Sequence, residues 1–248
     1  MDKYIKTKDK GRPIVYSVKS VSEYVELTTW FTMDGRIIFR GQTEDNPLVP
    51  SVGRNLRKSR FLQEEKEIFE EFKRESIPYV NSNLRNDWQW LSIAQHNGLP
   101  TRLLDWTKNP LVALWFAVKD PAIDNKPCIV WAYFYNKNAI VDYHTDPFCI
   151  DKTYVYFPEF VSPFIQAQLG AFTIHHKQDN KFVPLEEINN SDLLLKKIEI
   201  SSEFITSARY HLFRLGISPA SLYPGLLGIA EKISYDNMLG EDEPSIFK

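Results

Sequence analysis

Residues Leu91–Val118 read LSIAQHNGLPTRLLDWTKNPLVALWFAV, and this stretch decides how the rest of the chain is organised. Asp87 can cap a helix over Trp88–His96 that Asn97-Gly98 closes as a glycine C-cap. Gly98 and Pro100 then set a turn, and Thr101–Leu104 reads as a short strand. Asn109-Pro110 supplies the N-cap and first helical position of a helix, Leu111–Val118, that is apolar on every side and therefore buried. The order is strand, polar turn, core helix. Arg102 and Asp105 bracket two leucines beside that core, and a buried charge costs several kcal/mol unless paired or bound to a ligand. The segment is thus either a structural ion-pair network or the wall of a polar pocket.

Working outward toward the N-terminus, Arg36–Arg40 reads as a strand entered through an Asp34-Gly35 turn. With a period of two, Ile37 and Phe39 face one way while Ile38 and Arg40 face the other, and Gly41 lets a ligand or backbone come close. Ser20 or Ser22 can cap a preceding helix with Tyr24, Val25 and Leu27–Phe31 on its apolar face. Residues 1–13 form a charged lead-in or edge strand. From Phe61 the sequence FLQEEKEIFEEFKRE spaces Phe61, Ile68, Phe69 and Phe72 as an amphipathic helix does.

Toward the C-terminus, Pro127–Tyr135 is a continuous apolar and aromatic run suited to a central strand covered on both faces. Residues 136–163 read as a long loop with short strands. Ile165–His176 is a further strand in which Gln166, Gln168, Gly170, Phe172 and Ile174 share a face, and Lys196–Ser201 is another. Ser202–Leu215 is a helix with Phe204, Ile205, Ala208 and Leu212 inward, and Ser218-Pro219 opens a last helical region. These elements predict an α+β fold: a single domain over residues 36–248, with residues 1–35 as an extension and helix packed on it.

At 248 residues the chain can bury a sizeable core unaided, and 43% hydrophobic with 25% charged residues is ordinary for a globular protein. A net charge of -2 gives no global attraction to nucleic acid. Two cysteines, Cys128 and Cys149, offer no disulfide framework, which points to a reducing compartment. The first residues lack the apolar run of a signal peptide, and Leu111–Val118 is far short of the about 20 residues a membrane helix needs, so a cytoplasmic protein without a membrane partner is expected.

Arg40-Gly41-Gln42 is the first polar constellation: a strand-terminal guanidinium forks around phosphate, and glycine removes bulk. The plain alternative pairs Arg40 with Asp105. Gln95, His96, Thr101, Arg102 and Asp105 form the second, mixing donors, acceptors and one group that titrates near neutrality, although a histidine near a helix C-terminus is often structural. Gln166 and Gln168 form the third; glutamine can hold a hydroxyl but cannot take its proton. Trp88, Trp90, Trp106 and Trp115 read as core. The five histidines show no metal-binding spacing, so no metal is expected, and nucleophilic-hydrolase, Walker and dinucleotide glycine motifs are absent. Arg54, Arg57, Lys58 and Arg60 make a basic patch that can meet nucleic acid or simply be solvated.

Phe39-Arg40-Gly41-Gln42 and Gln95-His96-Asn97-Gly98-Leu99-Pro100-Thr101-Arg102-Leu103-Leu104-Asp105-Trp106-Thr107 together resemble the FRG domain, a bacterial module named for its Phe-Arg-Gly. The likeness continues through Asn109–Ala117 and Gln168-Leu169-Gly170-Ala171-Phe172 to Leu222-Tyr223-Pro224-Gly225-Leu226, covering residues 36–233. Where the family carries an arginine shortly before its late-strand glutamine, this chain has Phe164. The element order is similar to the split, mixed or antiparallel sheet with flanking helices of ADP-ribosyltransferases. By that resemblance Arg40, with Gly41, Gln42, Gln95, Thr101 and Arg102, would hold NAD as substrate, and Asp105, Gln168 and His96 would act on it. The setting implied is a bacterial defence, toxin or phage-related system. The competing expectation is a non-catalytic module recognising a nucleotide, nucleic acid or protein.

Overall fold

The computed structural model describes residues 2–8, 12–33, 35–54, 64–80, 84–120, 126–188 and 193–239. Its strands are β1 (Ile5–Thr7), β2 (Ile14–Val18), β3 (Ile37–Gln42), β4 (Leu103–Thr107), β5 (Cys128–Tyr135), β6 (Tyr154–Tyr156), β7 (Gly170–Ile174) and β8 (Leu193–Ile200). The helices are α1 (Val21–Met33), α2 (Glu65–Ser76), α3 (Asp87–His96), α4 (Pro110–Val118), α5 (Pro163–Ala167), α6 (Ser202–Arg214), α7 (Pro219–Leu222) and α8 (Leu226–Leu239). Among the described residues these eight strands join one mixed sheet in the order β1-β2-β8-β5-β3-β4-β7-β6, an α+β arrangement in which β2 and β8 pair parallel and the other neighbouring strands pair antiparallel. The first 35 residues contribute β1, β2 and α1 to this sheet and its core.

Alternation along the strands divides the core. Phe39, Val130, Ala132 and Ile198 turn toward α1, α4 and α6, whereas Ile38, Ile129, Trp131, Tyr133, Leu104 and Trp106 fill the opposite face. A third cluster joins Phe69 of α2 and Trp88 and Leu91 of α3 to Leu103, Phe172 and Ile174. α4 is the centre of the first cluster, with Val112, Ala113, Leu114, Trp115, Ala117 and Val118 all buried. Its start is as the sequence reads: Asn109 Oδ1 accepts from Leu111 N at 2.9 Å, with Pro110 in the first turn.

The sheet is continuous from β3 to β5, where six residues pair, but β3 meets β4 only at Phe39↔Thr107. Beyond that pair the two strands part. α4 presses on β3 just past the parting, so closely that a Cβ on Gly41 would lie 1.9 Å from the Ala113 carbonyl oxygen. Gly41 is required for helix-on-strand contact; the neighbour it admits is backbone.

Several local expectations change. Asn86, not Asp87, caps α3, accepting from Gln89 N at 3.0 Å. β4 begins at Leu103 and runs on through Asp105 to Thr107, so Asp105 is a strand residue. The single strand expected over Ile165–His176 is α5 followed by β7, because Ser162 caps Pro163–Ala167 into a helical turn. Gln166 and Gln168 therefore do not share a strand face with Phe172.

Candidate functional site

The parting of β3 and β4 opens a cleft of about 530 Å³. Asp105 stands on its wall as the exposed member of an otherwise buried strand, its side chain 59% exposed. Arg40 approaches from β3. By alternation it leaves the strand on the Ile38 side, and its guanidinium crosses the gap so that Nη1 donates to the Asp105 carbonyl oxygen at 2.7 Å and lies 3.8 Å from Oδ2. Arg40 Nε is buried and unpartnered. Burial pulls the Arg40 pKa down to about 10; Asp105 opposes that and Arg54 adds to it.

Arg54 is the second guanidinium on this wall. Its Nε donates to the Val49 carbonyl oxygen at 2.7 Å, and burial lowers its pKa too, against the pull of Asp105. Two partly desolvated cations thus face one carboxylate, while Lys119 at the cleft rim is matched by Asp120 at 2.7 Å. The positive charge left over on this wall suits an anion.

A hydrogen-bond chain fixes Asp105 from behind. Leu103 N donates to Thr101 Oγ1 at 3.0 Å, Thr101 donates to Gln95 Oε1 at 2.6 Å, and Gln95 Nε2 donates to Asp105 Oδ2 at 2.9 Å. The Asp105 carboxylate can only accept, so the Gln95 amide turns its Nε2 toward Asp105 and its Oε1 toward the Thr101 hydroxyl, which donates.

His96, in the last turn of α3, lines the cleft with its ring 4.6 Å from that of Phe164. Burial lowers its pKa below the usual 6.5 despite Asp105, so the imidazole is mainly neutral at pH 7. Gln168 also lines the cleft, although it follows α5 and does not lie on a strand. Its backbone oxygen accepts from Thr107 Oγ1 at 2.6 Å, and Leu169 beside it takes φ 47°, a left-handed conformation uncommon outside glycine. Its side-chain Nε2 donates to the Leu222 carbonyl oxygen at 3.2 Å. Gln42 lies on the cleft with Oε1 accepting from Trp131 Nε1 at 3.0 Å.

The residues expected to act together divide as follows. Arg40, Gly41, Gln42, His96, Asp105 and Gln168 line one cleft. Gln95 and Thr101 stand behind it. Arg102 does not belong there: its Nε and Nη2 hold Glu65 at 2.8 and 2.6 Å, its Nη1 donates to the Pro147 carbonyl, and the ring of Phe148 covers it. With Arg102 3% and Glu65 6% exposed, this is a buried structural pair. Alternation is the physical reason, since Thr101 and Leu103 flank Arg102 and Asp105 stands three residues on. Of the basic patch, Arg54 is on the cleft, and Arg57, Lys58 and Arg60 lie outside the described residues.

Sequence reasoning missed Phe116, Lys119, Asp120 and Tyr223, all on the cleft. Phe116 is the side chain of α4 least needed by the core, and Tyr223 sits in the weak Leu222–Leu226 motif; neither signal points to a site until the cleft is seen. Among the described residues no group of His, Cys, Asp or Glu could hold a metal ion, and no helix is long and apolar enough to cross a membrane.

No curated protein and no solved structure matches the chain. The FRG domain does match, over residues 35–126, the span that contains Arg40, Arg54, His96, Asp105 and Asp120 and stops short of Gln168 and Tyr223. The cleft where β3 and β4 part is thus built chiefly from the matched segment, and across residues 35–126 the chain carries an FRG domain.

Proposed function

We propose that the cleft binds a nucleotide, NAD in the first instance, and that the protein is an ADP-ribosyltransferase-like enzyme of a bacterial defence, toxin or phage-related system. The observation that carries this reading is the pairing of two partly desolvated guanidiniums, Arg40 and Arg54, with one aligned carboxylate, Asp105, in an open cleft of about 530 Å³. That volume is in the range of small-ligand sites. The guanidiniums supply the pyrophosphate seat. Asp105 supplies negative charge where positive charge develops on the ribose as its bond to nicotinamide breaks. Nicotinamide leaves with the bonding electrons, and the acceptor, water or a nucleophile, bonds to the same carbon and gives up its proton. The parting of the sheet between β3 and β4 supports the reading by analogy with the split-sheet layout.

The alternative is a nucleotide-binding module without turnover. It is favoured by Gln168, which has no carboxylate and whose amide is engaged with Leu222. Incubation with adenylate-labelled NAD separates the two. Turnover releases nicotinamide or transfers label; Asp105→Asn should then lower the rate about 100-fold with NAD binding retained, and Arg40→Ala should weaken binding. Binding without release or transfer selects the module. Failure of NAD, ADP and ribose phosphates alike to raise the melting temperature removes both.

A further inference from the structure

One side of the cleft is aromatic in a way that the phosphate seat does not use. The rings run in an unbroken arc: Phe116 packs on Trp115 with centroids 5.1 Å apart, Trp115 on Tyr223 at 5.7 Å, Tyr223 on Phe164 at 6.4 Å, and Phe164 on His96 at 4.6 Å. Three of the five, Phe116, Tyr223 and His96, line the cleft, and Trp115 and Phe164 back them. They come from α3, α4, α5 and the segment after α7, so no single amphipathic element explains the arc. Gln168 Nε2 holds the Leu222 carbonyl and thereby sets Tyr223 against the cleft. Burial pushes the Tyr223 phenol up to about 12, so this wall stays uncharged at working pH.

From this we infer that Phe116 and Tyr223 form a ring-binding subsite that seats the heteroaromatic ring of the nucleotide, with Gln168 as the positioning residue for Tyr223. The inference rests on the nucleotide reading above and adds a ligand polarity to it: phosphate toward Arg40 and Arg54, ring toward the arc. Stacking on an aromatic face tolerates any planar ring, so adenine and nicotinamide are both candidates for the same chemistry.

Calorimetric titration with AMP, nicotinamide mononucleotide and ribose 5-phosphate, which carry the same single phosphate, tests this. Whichever of the first two occupies the arc should bind the wild type about ten-fold or more tightly than ribose 5-phosphate. Tyr223→Leu and Phe116→Leu should each remove most of that advantage and leave ribose 5-phosphate binding unchanged, while Tyr223→Phe retains it. Gln168→Leu should reproduce the Tyr223→Leu pattern more weakly. If the leucine variants, shown by circular dichroism to be folded, weaken ring-bearing and ringless ligands equally or not at all, the subsite is refuted and the phosphate seat stands. If a leucine variant does not fold, Tyr223→Phe and Gln168→Leu decide, since a lost advantage in the first or an unchanged one in the second refutes the arrangement. Binding of none of the three ligands by the wild type overturns the nucleotide reading and the subsite with it.

Discussion

Arg40 Nη1 donates to the backbone carbonyl of Asp105 at 2.7 Å, at the point where β3 and β4 have stopped pairing. The side chain does there what a ladder hydrogen bond would do in a closed sheet: it satisfies a strand carbonyl while leaving room beside it. The same guanidinium clamps the seam and, because Arg40 lines the cleft, lends positive charge to it. Arg40→Lys keeps the charge but loses the planar fork. It should cost about 1–3 kcal/mol, read as a fall in the urea midpoint, and weaken pyrophosphate-bearing ligands about ten-fold in calorimetry. An unchanged midpoint would mean that the seam does not depend on this bond.

Arg102 and Glu65 should behave as structural partners. Removing one charge leaves the other buried and alone, so Arg102→Ala or Glu65→Gln should cost about 3–5 kcal/mol in denaturant unfolding. Replacing both with apolar residues, Arg102→Met with Glu65→Leu, should recover most of that loss. Additive losses in the double variant would contradict the pairing.

Gly41→Ala places a methyl group 1.9 Å from the Ala113 carbonyl oxygen and 2.6 Å from Ala117 N, both backbone atoms that cannot swing aside. The expected cost is about 3 kcal/mol or more, through displacement of α4 from β3. A variant that melts with the wild type would show that the helix does not sit where this contact requires.

His175 predicts a pH dependence. It is 1% exposed; burial holds its pKa down to about 3, and Arg40, Arg54 and Arg102 push the same way. Below the unfolded value near 6.5 the unfolded chain takes up a proton that the folded ring refuses. Stability is therefore full above about pH 6.5 and falls as pH drops, by up to about 1.4 kcal/mol per pH unit from this group. His96, also lowered by burial, adds to the same trend. His175→Gln should flatten the decline of the urea midpoint between pH 6 and 4, and equal slopes in variant and wild type would remove His175 as its source.

The elements with strong local signals were legible in order. Pro110 after Asn109 starts α4 whatever surrounds it, the inward face of α6 is Phe204, Ile205, Ala208 and Leu212 as its spacing requires, and the aromatic run of β5 becomes a central strand. The Ile165–His176 stretch is not legible as it folds, because alternation of polar and apolar residues over a few positions does not reveal a capped helical turn at Ser162-Pro163. For Arg102 the residue type leaves an ion pair or a pocket wall open: it says that a buried charge needs a partner and cannot say which, and the partner, Glu65, lies 37 positions away.

The amino-acid order alone determined the FRG motifs, the buried helix, the α+β class and the demand that Arg40, Arg102 and Asp105 be compensated. Those follow from covalent geometry, local hydrogen bonding and the cost of desolvating charge, all of which act within a few residues. Only the tertiary structure decided that β3 and β4 part after one pair, that Glu65 takes Arg102 out of the cleft, and that Tyr223 joins Asp105 in it. Those depend on how distant segments pack against one another, and chain spacing carries no measure of that.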